Sequence, residues 1–181
     1  MKLKPELFLQ ENIIQSACKA FESEDDVIAI ILIGSLAKGG GDRISDADLL
    51  IITKNKYHNQ VESCYKKFEA DKDIVYCFDA LDEDQWYTKK YLFHDFTSAE
   101  IHCFDTSYDI KIHNPYLVLL DKENIVPSLV CDEPAPKHED FPAYYFGDKG
   151  LIWDVFECVK WLSRGKNDLA KHHIKKLAKE F

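Results

Sequence analysis

Short apolar runs separated by polar and glycine-rich segments set the rhythm of this 181-residue chain. Two of them, 27–33 and 49–52, are β-branched and bounded by turn residues, so both read as buried strands. Upstream, Pro5 suits a first helical turn, and Leu7, Phe8, Ile13, Ile14, Ala17 and Phe21 recur with roughly helical spacing. Downstream, Val61, Cys64, Tyr65 and Phe68 share one side of a helix predicted over 57–70. A strand is expected over 74–81. The acidic run Asp82-Glu83-Asp84 then reads as the start of a helix over 85–93. Three consecutive strands fit 99–104, 108–113 and 116–121, and in the second of these Asp109 and Lys111 alternate with Ile110 and Ile112.

The pattern breaks over 127–142, where PSLVCDEPAPKHEDFP holds four of the six prolines. Such a segment excludes a helix or a central strand and reads as a linker. Two helices follow, over 144–162 and 167–181, interrupted at Gly165, with Asn167 or Asp168 placed to cap the second. The expected organisation is therefore a sheet-bearing core over 1–126, a Pro-rich acidic linker over 127–142 and a small helical region over 143–181.

Chemistry concentrates between the first two strands. Gly34-Ser35 follows the first directly, Gly39–Gly41 lie in the loop, and Ser45-Asp46-Ala47-Asp48 open the second. A glycine and a hydroxyl just past a strand leave backbone N–H groups free to face an anion such as phosphate. A short helix expected from Ser35 would turn its N-terminus the same way. Asp46 and Asp48 stand two apart on a strand, so both carboxylates leave the same face of the sheet. Held side by side they repel and need a cation, and the hard cation suited to carboxylate and phosphate oxygens is Mg²⁺. The stretch reads as a place for a metal-bound polyphosphate.

Gly34-Ser35, the eleven-residue step to Asp46, and Asp-x-Asp followed by Leu49-Leu50-Ile51-Ile52 together resemble the signature of the DNA polymerase β-like nucleotidyltransferases. Within that superfamily, the segments GSLAKG and SDADL are most similar to the small-molecule branch, which includes the aminoglycoside and lincosamide nucleotidyltransferases. The resemblance implies an α+β fold: a mixed β-sheet nucleotidyltransferase core with flanking helices, followed by the C-terminal helical region. It implies that Asp46 and Asp48 hold Mg²⁺, that Gly34 and Ser35 hold the β- and γ-phosphates of ATP or another nucleoside triphosphate, and that Lys38 and Arg43 neutralise phosphate. Lys38 stands where the branch often carries arginine. A third carboxylate is implied on a strand beside the Asp-x-Asp strand. Asp109 in Tyr108-Asp109-Ile110 fits that description better than its rival Glu100 in Ala99-Glu100-Ile101, either completing the metal site or serving as general base. In the helical region, Val159-Lys160-Trp161-Leu162 is similar to a segment whose lysine reaches the triphosphate, which makes Lys160 a nucleotide-binding candidate. That region is shorter than in many relatives, so a second subunit is expected to help wall the acceptor site, as a homodimer.

Composition narrows the substrate. With 23 Lys+Arg against 32 Asp+Glu the net charge is −9, a poor basis for gripping a nucleic-acid backbone and a fair one for attracting a cationic small molecule. The six cysteines are scattered with no Cys-x-x-Cys pair. With no signal-peptide pattern at the N-terminus, they are expected to be reduced thiols of a cytoplasmic protein. No apolar run reaches the roughly 20 residues needed to cross a bilayer, and no Cys/His spacing points to zinc. Trp153, Phe156, Val159 and Trp161 are expected in a core, not in a base-stacking platform. The function expected is Mg-dependent transfer of AMP from ATP to a hydroxyl of a small, aminoglycoside-like molecule. The alternative is a protein-modifying nucleotidyltransferase or antitoxin acting on a partner protein.

Overall fold

A computed structural model describes residues 3–181 and separates them into two compact units, 3–133 and 134–181. The first unit is α+β. It opens with helix α1 (Phe8–Phe21) and strand β1 (Val27–Ile33), then the one-turn α2 (Gly34–Ala37) and strand β2 (Asp46–Thr53). Helix α3 (Glu62–Glu69) leads into strands β3 (Ile74–Asp82), β4 (Trp86–Phe93) and β5 (Ser98–Asp105). The short β6 (Ile112–His113), β7 (Leu117–Asp121), one-turn α4 (Val126–Leu129) and β8 (Val130–Cys131) complete it.

Six strands form a mixed sheet in the order β3-β4-β5-β2-β1-β7, while β6 and β8 pair in parallel as a separate two-stranded ribbon. Only β2 and β5 run parallel within the large sheet; its other neighbours are antiparallel. The two-residue side-chain period divides β2 between two cores. Ala47, Leu49 and Ile51 pack with α1 and α3 through Ile14, Phe21, Tyr65 and Phe68. Leu50 and Ile52 pack on the opposite face with Ile110, Ile112 and Val126. Asp46 and Asp48 continue that second row to the strand's N-terminal end.

The segment expected as a helix over 85–93 is strand β4, and this corrects the sequence reading. Asp82-Glu83-Asp84 is a hairpin turn, not a helix start: Asp84 N–H donates to Asp82 Oδ1 at 3.0 Å and Gln85 N–H to the Asp82 carbonyl at 3.1 Å. The Trp86–Phe93 run is rich in aromatic and β-branched residues that suit a pleated surface. Its odd positions Tyr87, Tyr91 and Phe93 enter the α3-side core, and Lys89 reaches Glu62 and Glu69 on α3 at 3.1 and 3.2 Å. Elsewhere the differences are smaller. The helix expected over 57–70 is cut to Glu62–Glu69, the strand expected over 108–113 keeps only its last two residues, and the Pro-rich segment begins with the one-turn α4.

The second unit holds helices α5 (Leu151–Ser163) and α6 (Asn167–Leu177). Cys158, Trp161 and Ala170 form their shared core, with Trp161 edge-on to His173 and His173 Nε2 2.8 Å from Asp154 Oδ1. Gly165, at φ +70°, reverses the chain between them. Among the described residues no helix is long and apolar enough to cross a membrane.

Candidate functional site

The sheet register builds the site. Because β2 and β5 are parallel and in step, Asp46 lies opposite Ser98 and Asp48 opposite Glu100. All four side chains therefore leave the same face at the strands' N-terminal ends. Oxygens of Asp46, Asp48 and Glu100 come within 4.8 Å of one another, and no other cluster of three metal-ligating side chains occurs among the described residues. Ser98 Oγ donates to Asp46 Oδ1.

Asp109 is placed elsewhere. It lies outside any strand, with its side chain 86% exposed and 2.9 Å from Lys111 Nζ. The predicted strand is not formed there because no neighbour pairs with residues 108–111, so alternation alone did not bring Asp109 into the sheet. Of the two acids considered from sequence, Glu100 is the one the structure sets beside Asp46 and Asp48.

Two side chains enclose Glu100, one from β4 and one from its own strand. Lys90, its register partner on β4, places Nζ 2.5 Å from Glu100 Oε2, and His102 Nε2 lies 3.4 Å from the same oxygen. Burial by itself would push the Glu100 carboxyl up, but the Lys90 ammonium and the His102 hydrogen bond outweigh it and hold the group well below the usual carboxylate range. An ionised carboxylate only accepts, so His102 Nε2 donates to it, while His102 Nδ1 lies 2.9 Å from Thr88 Oγ1. Lys90 and Thr88 were hidden by reading β4 as a helix. A period-two test of 86–93 finds them, since Thr88, Lys90 and Leu92 alternate with Tyr87, Lys89 and Tyr91.

Gly34 joins the other side of the site. Ile33, the last residue of β1, pairs with Asp48, and the chain then turns at Gly34 with φ +74°. A Cβ at this position would collide with Asp48 Oδ2. The glycine thus serves both the left-handed turn and the close approach of the carboxylate. Ser35 and Lys38 are exposed beside it. Arg43 is exposed as well, and its guanidinium donates to the Asp95 carbonyl at 2.7 Å, which ties it to the loop after β4.

The loop between α2 and β2 is held from within. Gln10 of α1, fully buried, points its amide at the carbonyls of Asp42, Arg43 and Ser45, at 3.3, 2.9 and 3.4 Å. Ser45 Oγ accepts from Asp42 N–H at 2.9 Å. The signal for Gln10 is its place in the apolar stripe Leu7–Gln10–Ile14–Ala17–Phe21, where a polar residue needs a buried partner. Lys160 lies in the other unit, on α5. Its side chain is buried, paired with Glu157 and 5.2 and 5.0 Å from the Trp153 and Phe156 rings.

Three carboxylates converging at the ends of two parallel strands, beside a glycine-led turn from a third, form a candidate site whose donors suit a hard cation and an anionic ligand. A family model for the nucleotidyltransferase domain matches residues 12–118. That is more than half of the chain, and the protein belongs to this family: it is a nucleotidyltransferase. Comparison with curated proteins returns no match.

Proposed function

We propose that this enzyme transfers a nucleoside monophosphate, AMP from ATP, to a hydroxyl of a small molecule, with Mg²⁺ held by Asp46, Asp48 and Glu100. The observation that carries the reading is the β2–β5 register, which sets Glu100 opposite Asp48 at the mouth of the Gly34-Ser35 turn. The donor set fits the ion: three hard carboxylate oxygens, with Gly34 lacking the Cβ that would displace one of them. When bound, the metal supplies neutralisation of charge on the triphosphate and on the attacking and leaving oxygens.

The chain's own residues do the rest. Gly34 and Ser35 present backbone N–H groups and a hydroxyl to the β- and γ-phosphates, preset by a turn that needs no rearrangement on binding. Lys38 adds positive charge at the end of that turn. Arg43, tied to Asp95, steadies the loop and adds its field to the same side. Lys90 and His102 keep Glu100 ionised, which suits it to hold a cation and makes it a weak proton acceptor. The acidic balance of −9 favours a cationic acceptor such as an aminoglycoside-like molecule. A homodimer completing the acceptor wall goes with this reading; a monomer by light scattering at assay concentration counts against that part.

A second reading, modification or binding of a partner protein, is favoured by one feature. Ile152, Val155, Val159 and Leu162 on α5 are each about half exposed at spacings of three and four, an apolar stripe suited to another helix. Pyrophosphate release from Mg-ATP, then from the other nucleoside triphosphates, across a panel of aminoglycosides and lincosamides separates the two. Release that depends on one acceptor and vanishes in Asp48→Asn supports small-molecule transfer. Mg-ATP binding without release for any acceptor overturns it in favour of a protein partner.

A further inference from the structure

The sheet register places a fixed positive charge in line with the acidic cluster. Lys90 on β4 pairs with Glu100 on β5, and Glu100 pairs with Asp48 on β2. Paired residues share a sheet face, so the three side chains form one row that reads cation, acid, acid. The Lys90 ammonium reaches Glu100 Oε2 at 2.5 Å, and its side chain is largely enclosed.

The neighbouring Lys89 shows what strand alternation does with a second lysine. It leaves the opposite face, where Glu62 and Glu69 of α3 take its ammonium at 3.1 and 3.2 Å. Those two acids belong to no metal-ligating cluster among the described residues, so their pairs with Lys89 tie sheet to helix and do no more. Glu100 is in a different position, because its carboxylate is shared. It meets an ammonium from the β4 side, and from the β2 side the oxygens of Asp46 and Asp48, within 4.8 Å of its own. A carboxylate shared in this way is a weaker donor to a second cation, and an ammonium repels a divalent ion placed beside it. In an enclosed setting salt screens that repulsion less than it would at a surface. A triphosphate reverses the balance, because it brings several negative charges to the same place.

We propose that Lys90 is a positioning residue that makes divalent-ion binding conditional on the nucleotide. Its ammonium holds part of the Glu100 charge, so the acids bind the ion well only together with a triphosphate. The inference rests on the reading of the acidic cluster as a metal-bound nucleotide site. By reciprocity, the ion raises the affinity for the triphosphate by the same factor. A lysine that served only to clamp Glu100 would act the other way, since its loss would loosen a ligand and weaken the hold on the ion.

Calorimetry with Mn²⁺ at neutral pH separates these roles, because they move the affinity in opposite directions. The protein is titrated with Mn²⁺ alone, and again with an ATP analogue that cannot be cleaved between its α- and β-phosphates. Lys90→Met, with its fold checked by circular dichroism, is expected to bind Mn²⁺ roughly tenfold tighter than the parent without nucleotide. With the analogue present the difference should be much smaller. Lys90→Gln is run beside it, because it removes the charge but keeps a hydrogen-bond donor for Glu100, and the same gain is expected. Lys89→Met, which loses a lysine from the opposite face, should stay at the parent's affinity. Equal or weaker Mn²⁺ binding in the folded Lys90 variants would overturn the proposal and leave Lys90 a clamp. Failure of the parent to bind Mn²⁺ even with the analogue is a separate outcome, seen before any variant is made, and it would overturn the metal-bound nucleotide reading and this inference with it.

Discussion

Two lysine–carboxylate pairs in this molecule have the same chemistry and opposite standing. Lys90–Glu100 lies between the central strands, with side chains 13% and 18% exposed, beside two further carboxylates. Lys111–Asp109 lies on an irregular segment, 56% and 86% exposed, with water on every side. A surface pair of this kind is screened and contributes little. The enclosed pair is held by strand pairing on both sides, and loss of either partner leaves a charge that water reaches only in small part. Strand register, not residue type, sets one carboxylate in the acidic cluster and leaves the other a solvated acid.

The comparison breaks most decisively at its chemical end. Asp48→Asn removes one donor from the acidic cluster and is expected to lower pyrophosphate release by roughly 10³-fold, with the far-UV circular dichroism unchanged. Next, Glu100→Gln is expected to reduce kcat/KM by roughly 10²-fold or more, while Asp109→Asn leaves it at the level of the parent. The reverse order would return the third carboxylate to Asp109. Lys90→Met leaves Glu100 enclosed without its ammonium, and urea unfolding should show a loss of about 3–5 kcal/mol. Asp109→Asn is expected to leave the urea midpoint where it was.

Gly34→Ala tests the turn that shapes the same pocket. A positive φ and a methyl group driven against Asp48 should cost about 1–3 kcal/mol in stability and weaken nucleotide binding, measured by calorimetry with Mg-ATP. The smallest effect concerns a third kind of carboxylate, one held by backbone N–H groups. Asp105 accepts from Lys56 N–H at 2.8 Å and Ser107 N–H at 3.0 Å. Burial opposes its ionisation, but these bonds hold its carboxyl below the ordinary value of 3.8. Its contribution is therefore fully present above that value and is lost as pH falls through the lower, folded-state value. Asp105→Asn should cost about 1–2 kcal/mol at neutral pH, and the gap from the parent protein should narrow as the pH is taken below about 4.

The Gly34-Ser35 turn and the Asp46/Asp48 pair were legible in the sequence because each depends on neighbours in the chain. A strand's two-residue period puts Asp46 and Asp48 on one face wherever that strand lies. Glu100 was legible only as an alternative, and Lys90 not at all, since Asp82-Glu83-Asp84 serves a hairpin turn as readily as a helix start. Gln10 was present in the α1 stripe but is intelligible only once the carbonyls of 42–45 are folded over it.

The sequence by itself determined β1, β2, the turn between them and two of the three clustered acids, all properties of a single stretch of chain with a fixed period. Tertiary structure alone decided the rest. The third acid reaches Asp48 from 52 residues away through parallel pairing of β2 with β5, and Lys90 reaches it through the antiparallel β4. No local pattern encodes which strands become neighbours, because that choice is made by burial of both sheet faces together: Leu49 and Ile51 against α1 and α3, Leu50 and Ile52 against Ile110 and Ile112.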